Sequence, residues 1–506
     1  MILTNELLFD YQRCKRRSFL NAYGDLREVD PKTELALKIQ QDSQTHRENI
    51  LAEMNVEKLP YSRGNWAASA RATLDLMRQG VECIANGVLL VEGTSSLPVE
   101  SSQDAALLSR PDLLVKQAGK SIFGNWVYIP VDIRFSKRPK RDYQIMAAFH
   151  SLVLAEIQGV RPEVAWLILR EKGKYTVDLA ALMPLMSSIA AECFHTLDKQ
   201  IEPELFISRH PCEMCRWFSS CHAIAKSTRH ISLLPGVTSK RYEMLLKLNL
   251  TTVEALANVN PAELAIHLLD NCRGEPDVAA EVAATLKLQA QAVAYNMAIP
   301  LPAPLDFAAA NLPTYPVELY FDIEAQPEMD LAFLHGVLVV DRTARRQIFY
   351  PFLAERPEDE GIAWAQFLQL VERYPQAPIF HFCEYEAQTV KKLGRRYGTP
   401  SSQWRSLLYR FVDLHKWATK TVVMPVESYS LKTLARWLGF EWRNKKANGA
   451  QCILWYNQWL ENPEDRQHLD SILLYNEDDC RATYILKEWL SGFLNQVYRN
   501  HERLSS

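Results

Sequence analysis

Between residues 317 and 325 the sequence reads VELYFDIEA, in which Leu319, Phe321 and Ile323 interleave with Asp322 and Glu324. That period of two predicts a strand, with both carboxylates on the same side of its sheet. FLHGVLVV and RRQIFYPF read as two further strands, GIAWAQFLQLVERY as a helix and APIFHF as a buried strand. That strand turns into a helix and sets Glu386 on the far side of the turn. The remainder is mostly helical; in LLYNEDDCRATYILKEWL, Tyr475 and Asp479 are spaced i and i+4 and share one face. This order predicts a mixed α/β sheet for residues 315–506.

Upstream, a charged helical opening leads into a β-rich middle, SIFGNWVYIPVDIRF, and then into a long helical tract ending at a cysteine cluster; together these make a first domain over 1–225. Residues 226–298 read as helical, with LLPGV as a turn and TTVEAL as a capping-box start in which Thr251 faces Glu254. AIPLPAPLDFAAANLPTYP carries five prolines, which cannot continue a helix, and predicts a linker over 299–314.

The 506 residues, 48% of them apolar, are enough for roughly two to four domains with their own cores. The opening MILTNELLFDYQRCKRR has no apolar leader, and no run of about 18 uncharged apolar residues follows, so the expectation is a soluble cytoplasmic protein without a membrane partner. In a reducing compartment ten cysteines stay reduced, and a tight cluster then points to metal ligation or catalysis rather than bridges. A net charge of −3 does not identify a partner, since a nucleic-acid enzyme needs only a local basic face. There is no GxxxxGK[ST] loop and no GxSxG elbow, which removes an ATP motor and that type of serine hydrolase.

Two acids side by side on a strand call for a cation, although a DxE pair alone is more often a solvated edge. Hydrolysis of a phosphodiester needs a nucleophilic water and stabilisation of the leaving oxygen, which two divalent ions ~4 Å apart supply together. Hard cations of the Mg²⁺ or Mn²⁺ type take carboxylate oxygens. The series FDIE, HFCEYE, VDLHKWA with SYSLKTLARWLG, and YNEDD resembles the DEDD (DnaQ-like) 3′-to-5′ exonucleases of ribonuclease-H-like fold, in the variant fused to RecB-like nucleases; the resemblance spans about 315–495. It implies metal ligation by Asp322, Glu324, Glu386 and Asp479, with Glu386 where the family usually has Asp, and Tyr475 as the residue that positions the attacking water. Asp413 would be a supporting group and not a ligand.

In PCEMCRWFSSC the spacing of Cys212 and Cys215 lets one turn present two sulfurs to one centre, and Cys221 supplies a third. Cys14 is a candidate fourth ligand, with His210 and His222 as rivals that would favour zinc. Residues 1–225 also resemble RecB-type nucleases of the PD-(D/E)xK class, through THRENILAEM, SRPDLLV, YIPVDIRFSK and RDYQIMAAFH. In that family one early cysteine and a late trio bind a 4Fe-4S cluster, which implies Cys14, Cys212, Cys215 and Cys221 as its ligands here, with zinc as the alternative. The same match implies a nuclease site lined by His46, Asp112, Asp132 and Gln144.

Asp42 stands where the family has glycine, and Arg134 where it has the lysine that helps position or deprotonate water. Arginine stays protonated and cannot be a base. Lys137, three residues on, would point to the other face if the strand continued. The run RFSKRPKR packs five cations into positions 134–141, suited to phosphate contact or to a solvated loop. LLPGVTSKRYEMLLKLNLTTVEALANV resembles a helix-hairpin-helix, a grip on phosphate without sequence preference.

The expected architecture is therefore α/β and multidomain: a RecB-like restriction-endonuclease fold with its cysteine cluster, a helix-hairpin-helix-like helical domain, and a ribonuclease-H-like mixed sheet. The expected function is a metal-dependent nuclease, a 3′-to-5′ exonuclease favouring DNA over RNA, with a helicase or another repair or defence protein as a candidate partner. The alternative is a nucleic-acid-binding protein with weakened sites, serving a separate helicase or nuclease.

Overall fold

The computed structural model describes residues 1–59, 64–93, 106–301 and 312–505, which divide into two compact units, Met1–Ile224 and Ala225–Ser506. In the first, a six-stranded sheet runs in the order Glu57–Lys58, Cys83–Ala85, Leu113–Ser121, Gly124–Arg134, Val164–Leu169, Gly173–Asp178. Leu113–Ser121 and Gly124–Arg134 form an antiparallel hairpin, whereas Gly124–Arg134 and Val164–Leu169 are parallel. Parallel neighbours need a crossover, supplied here by the helix Arg141–Gln158, buried without a break from Ile145 to Leu154. A three-stranded sheet joins Ile2–Thr4, Ala106–Ser109 and Leu89–Glu92.

The tract expected to be helical up to the cysteines is interrupted by the last two of the six strands. Their signal is the alternation in VAWLIL, where Ala165, Leu167 and Leu169 are buried and their neighbours are not, followed by the turn at Gly173. The helix after them, Leu179–Asp198, is long and apolar enough by composition alone to cross a membrane. In the fold, Leu179, Met183, Met186, Ala190 and Phe194 bury one of its faces in the core of this unit.

In the second unit, four helices, Ser239–Lys247, Val253–Ala257, Pro261–Leu268 and Pro276–Tyr295, come first. Gly236, at φ 89°, makes the turn into them, and Thr238 caps the first by accepting from Arg241 N–H. The cap of the second helix is Thr252 rather than Thr251: its hydroxyl accepts from Ala255 N–H, while Glu254 pairs with Arg229 at 2.5 Å. Gln289 donates to Met424 O at 2.6 Å, and Ile299–Pro300 pairs with Val422–Val423, so these helices belong to the same unit as the C-terminal sheet. Most of the expected linker, 302–311, lies outside the described residues.

That sheet has five strands in the order Arg346–Leu353, Leu331–Asp341, Val317–Gln326, Ile379–His381, Phe411–Asp413. The first three are antiparallel and the last two are added in parallel. Alternation along Val317–Gln326 decides what each face meets. Leu319, Phe321 and Ile323 pack with Trp364 and Phe367 of the helix Glu360–Glu372. Tyr320 packs on the opposite face with Cys480, Leu486 and Leu490 of the long helix Gln467–Ser505. Asp322 and Glu324 share that second face.

Candidate functional site

Asp322, Glu324 and Asp479 each offer a carboxylate oxygen, and these three atoms all lie within 4.8 Å of one another. Two levels of structure bring them together. Strand alternation turns Asp322 and Glu324 toward the long helix, and the helix sets Asp479 against them together with Tyr475, one turn earlier. A register shift directly after Glu324 bulges the strand pair at this point, a common device for re-aiming side chains beside sites.

The electrostatics are those of a cluster short of positive charge. Burial, and then repulsion from Asp479, Glu324 and Glu386, pushes the Asp322 carboxyl well above the usual range. Burial and the charges of Asp479 and Glu386 do the same to Glu324. Asp479 is pushed up to about 7 by burial, against the opposing effects of Trp442, Tyr475 and Lys432. Like charges packed this closely in a low-dielectric site disfavour each other's ionisation unless a cation joins them.

Side chains around the cluster fix it. Asn476 donates to Asp322 Oδ2 at 2.6 Å, and Trp442 Nε1 donates to Asp479 Oδ1 at 2.7 Å. The Tyr475 hydroxyl contacts Asp479, and burial, followed by the three carboxylates, raises its pKa far above the usual phenol value. Lys432 donates to Ala447 O and lies 5.6 Å from the Trp442 ring and 5.5 Å from the Tyr475 ring. Burial lowers its pKa and the Asp479 charge opposes that shift.

Glu386 is buried in the first turn of the helix Tyr385–Arg396 and is turned toward His381, whose Nδ1 lies 3.4 Å from its Oε2. Its pKa is raised by burial and held back by His381. Asp413 braces the turn that carries it: Oδ1 accepts from Cys383 N–H at 3.2 Å and from His415 N–H at 2.9 Å. Cys383 sits at φ 76°, a conformation costly for a residue with a side chain, and this bond helps hold it there. Asn476, Trp442, Lys432 and His381 were not singled out from sequence. Asn476, Lys432 and His381 do fall inside the motifs YNEDD, SYSLKTLARWLG and HFCEYE.

The first unit holds the remaining predicted residues. Cys14, Cys212, Cys215 and Cys221 line one small cavity with Arg16, Arg17 and Trp217. Cys14 reaches it from the break between the helices Asn5–Arg13 and Lys15–Tyr23. Burial and the neighbouring thiols push Cys212 up to about 11. His222 stacks on Phe218, ring centroids 5.0 Å apart, and the side chain of His210 lies outside the described residues.

Asp112 and Asp132 stand at the same end of adjacent strands, fixed by the pairing of Leu113 with Val131. Asp112 Oδ1 accepts from Arg47 Nε at 2.6 Å and Oδ2 from Ile133 N–H at 2.8 Å. Asp132 is 1% exposed, with Arg134 at 2.9 Å from Oδ2 and His150 at 3.4 Å from Oδ1. His46 lies next to Arg47 in the helix Glu34–Ala52, its ring tilted against Phe135 at 5.7 Å. Gln144 donates to Pro139 O at 2.8 Å. The strand ends at Arg134, and Lys137 beyond it pairs with Glu171 at 2.6 Å.

No curated protein matches the chain. Residues 319–491 match a family model of the RNase H superfamily, so the sheet and helices that carry Asp322, Glu324, Glu386, Tyr475 and Asp479 are similar to an RNase H-like module.

Proposed function

We propose that the second unit is a two-metal-dependent 3′-to-5′ exonuclease acting on DNA. The observation that carries this reading is the convergence of Asp322, Glu324 and Asp479 to within 4.8 Å, on a fold of the RNase H superfamily. The donor set fits a hard divalent cation: oxygen atoms only, buried, and mutually repelling until a cation arrives. When bound, such ions supply Lewis-acid stabilisation of the scissile phosphate and lower the pKa of a water.

The chain's own residues do the rest. Asp322, Glu324 and Asp479 would hold the ions, with Glu386, whose charge acts on Asp322 and Glu324, as a further carboxylate donor. Asn476 and Trp442 keep Asp322 and Asp479 in place. Tyr475, protonated at any physiological pH, donates or accepts a hydrogen bond and orients the attacking water without acting as a base. The exonuclease polarity is supported by the order and spacing of the four motifs, and the choice of DNA by the RecB-like and helix-hairpin-helix-like resemblances upstream.

The test is cleavage of end-labelled single-stranded DNA, duplex DNA and RNA with Mg²⁺ or Mn²⁺, comparing Asp322→Ala with the parent. Stepwise shortening from the 3′ end of DNA, lost in the variant, is expected. Equal products from both proteins would remove this site from the reaction.

For the first unit we propose a 4Fe-4S cluster on Cys14, Cys212, Cys215 and Cys221. The four thiols line one small cavity, and the charges of Cys14, Cys215 and Cys221 act on Cys212, which supports a single centre shared by all four. Arg16 and Arg17 lie beside Cys221 and Cys215 and suit a group of net negative charge. Protein purified without oxygen should be brown, with about four irons per chain. Colourless protein with stoichiometric zinc would overturn this assignment.

A further inference from the structure

We propose that the carboxylate pair Asp112 and Asp132 is a closed centre in which Arg47 and Arg134 take the place of a divalent ion, so that the first unit holds no metal there and does not hydrolyse nucleic acid. This goes beyond the reading of the second unit and does not depend on it.

Both Asp112 oxygens accept hydrogen bonds, and both Asp132 oxygens lie within ion-pair distance of a basic side chain without completing a hydrogen bond. Asp112 uses one oxygen for the Arg47 guanidinium and the other for Ile133 N–H. Asp132 has Arg134 against Oδ2 and the His150 ring against Oδ1. The cations are themselves held. Arg134 lies two residues from Asp132 on the same strand, hence on the same side of the sheet, with its guanidinium 5.4 Å from the Tyr143 ring. Arg47 is tied by a second bond to Asn86 Oδ1 at 2.7 Å. His150, fully buried, is fixed through Nδ1, 2.6 Å from Ser109 Oγ.

The charge balance points the same way. Two carboxylates facing two guanidiniums are neutral, so a divalent ion entering beside them would leave two uncompensated positive charges at a buried site, which carries a large desolvation cost. An arginine cannot shed its proton to make room.

Burial works against ionisation of Asp132, yet Arg134 and His150 outweigh it and hold the carboxyl well below its usual range.

The experiment counts Mn²⁺ bound to the full chain by the electron paramagnetic resonance of the free ion. In protein carrying Asp322→Asn and Asp479→Asn, which disable the second unit's cluster, tight Mn²⁺ binding is expected to disappear. A Mn²⁺ ion that persists there and is released by adding Asp112→Asn would overturn the proposal.

A second variant adds Arg134→Ser to the same background. The vacated Asp132 should then make thermal stability depend on Mn²⁺, raising the melting temperature by several degrees where the background shows no shift. A melting temperature that ignores Mn²⁺ would show that the guanidinium does not stand in the ion's place. If Arg134→Ser fails to fold, the first measurement still decides. Because neither reads cleavage products, a parent protein that cuts nothing would remove the exonuclease reading and leave this one standing.

Discussion

Asn476 reaches Asp322 across Gly336, and the missing side chain of that glycine is what admits it: a Cβ there would lie 1.6 Å from Asn476 Oδ1. Gly336 is the strand partner of Asp322, so the long helix lies on the sheet at the point where the sheet has no side chain. Gly336→Ala should displace Asn476, release Asp322 and abolish cleavage, with a stability loss of about 1–3 kcal/mol from overpacking. Asn476→Ala added to it relieves the clash. The double variant should melt above Gly336→Ala alone while remaining inactive, and a melting temperature no higher than that of the single variant would argue against this contact.

Tyr475→Phe keeps the ring and removes the hydroxyl. If that hydroxyl orients the water, kcat should fall by roughly 10–100-fold with Mn²⁺ affinity unchanged. Single-turnover kinetics alongside Mn²⁺ titration separate the two effects.

Lys432 places a positive charge beside Asp479, where it competes with an incoming cation. Lys432→Met retains the stem between Trp442 and Tyr475 and removes the charge. Mn²⁺ should bind more tightly, by roughly tenfold, and calorimetry reads the change directly.

The carboxylate cluster gives the metal-free protein a defined pH dependence. Asp322, Glu324 and Asp479 are raised above their unfolded values, Asp479 to about 7, so the stability they contribute is fully present below about pH 4 and is lost as pH rises through their folded values. With chelator present, the melting temperature should fall from about pH 5 to about pH 8, and millimolar Mg²⁺ should restore it at the upper end only. The fall should be smaller in Asp322→Asn/Asp479→Asn, where Glu324 alone of the three still titrates.

Lys487 is fully buried and donates to Glu318 at 2.9 Å, while Arg342 donates to the same carboxylate at 2.7 Å. This network ties the long helix to the strand that carries Asp322 and Glu324. Glu318→Gln should cost up to about 3 kcal/mol by leaving the buried Lys487 ammonium with Glu488, at 3.3 Å, as its remaining counter-charge. Glu318→Gln with Lys487→Met should recover much of the melting temperature.

Several features were legible in the sequence because they depend on local periodicity. A period of two along Val317–Gln326 puts Asp322 and Glu324 on one side, i and i+4 spacing aligns Tyr475 with Asp479, and the cysteine spacing marks a cluster in any fold. Where local cues compete, the sequence misled: adjacent threonines at 251 and 252 are equivalent until the chain direction into the helix selects Thr252, and VAWLILREKGKYTVD is apolar enough to pass for helix until the sheet next to Gly124–Arg134 pairs with it. Which side chains face one another was settled only by tertiary structure. That Asn476 meets Asp322 over Gly336, that Glu386 turns to His381, and that Arg47 rather than His46 reaches Asp112 follow from sheet order, register and the seating of helices. Periodicity fixes the direction in which a side chain leaves the backbone; its partner, and therefore its charge state, depends on a segment that can lie a hundred residues away.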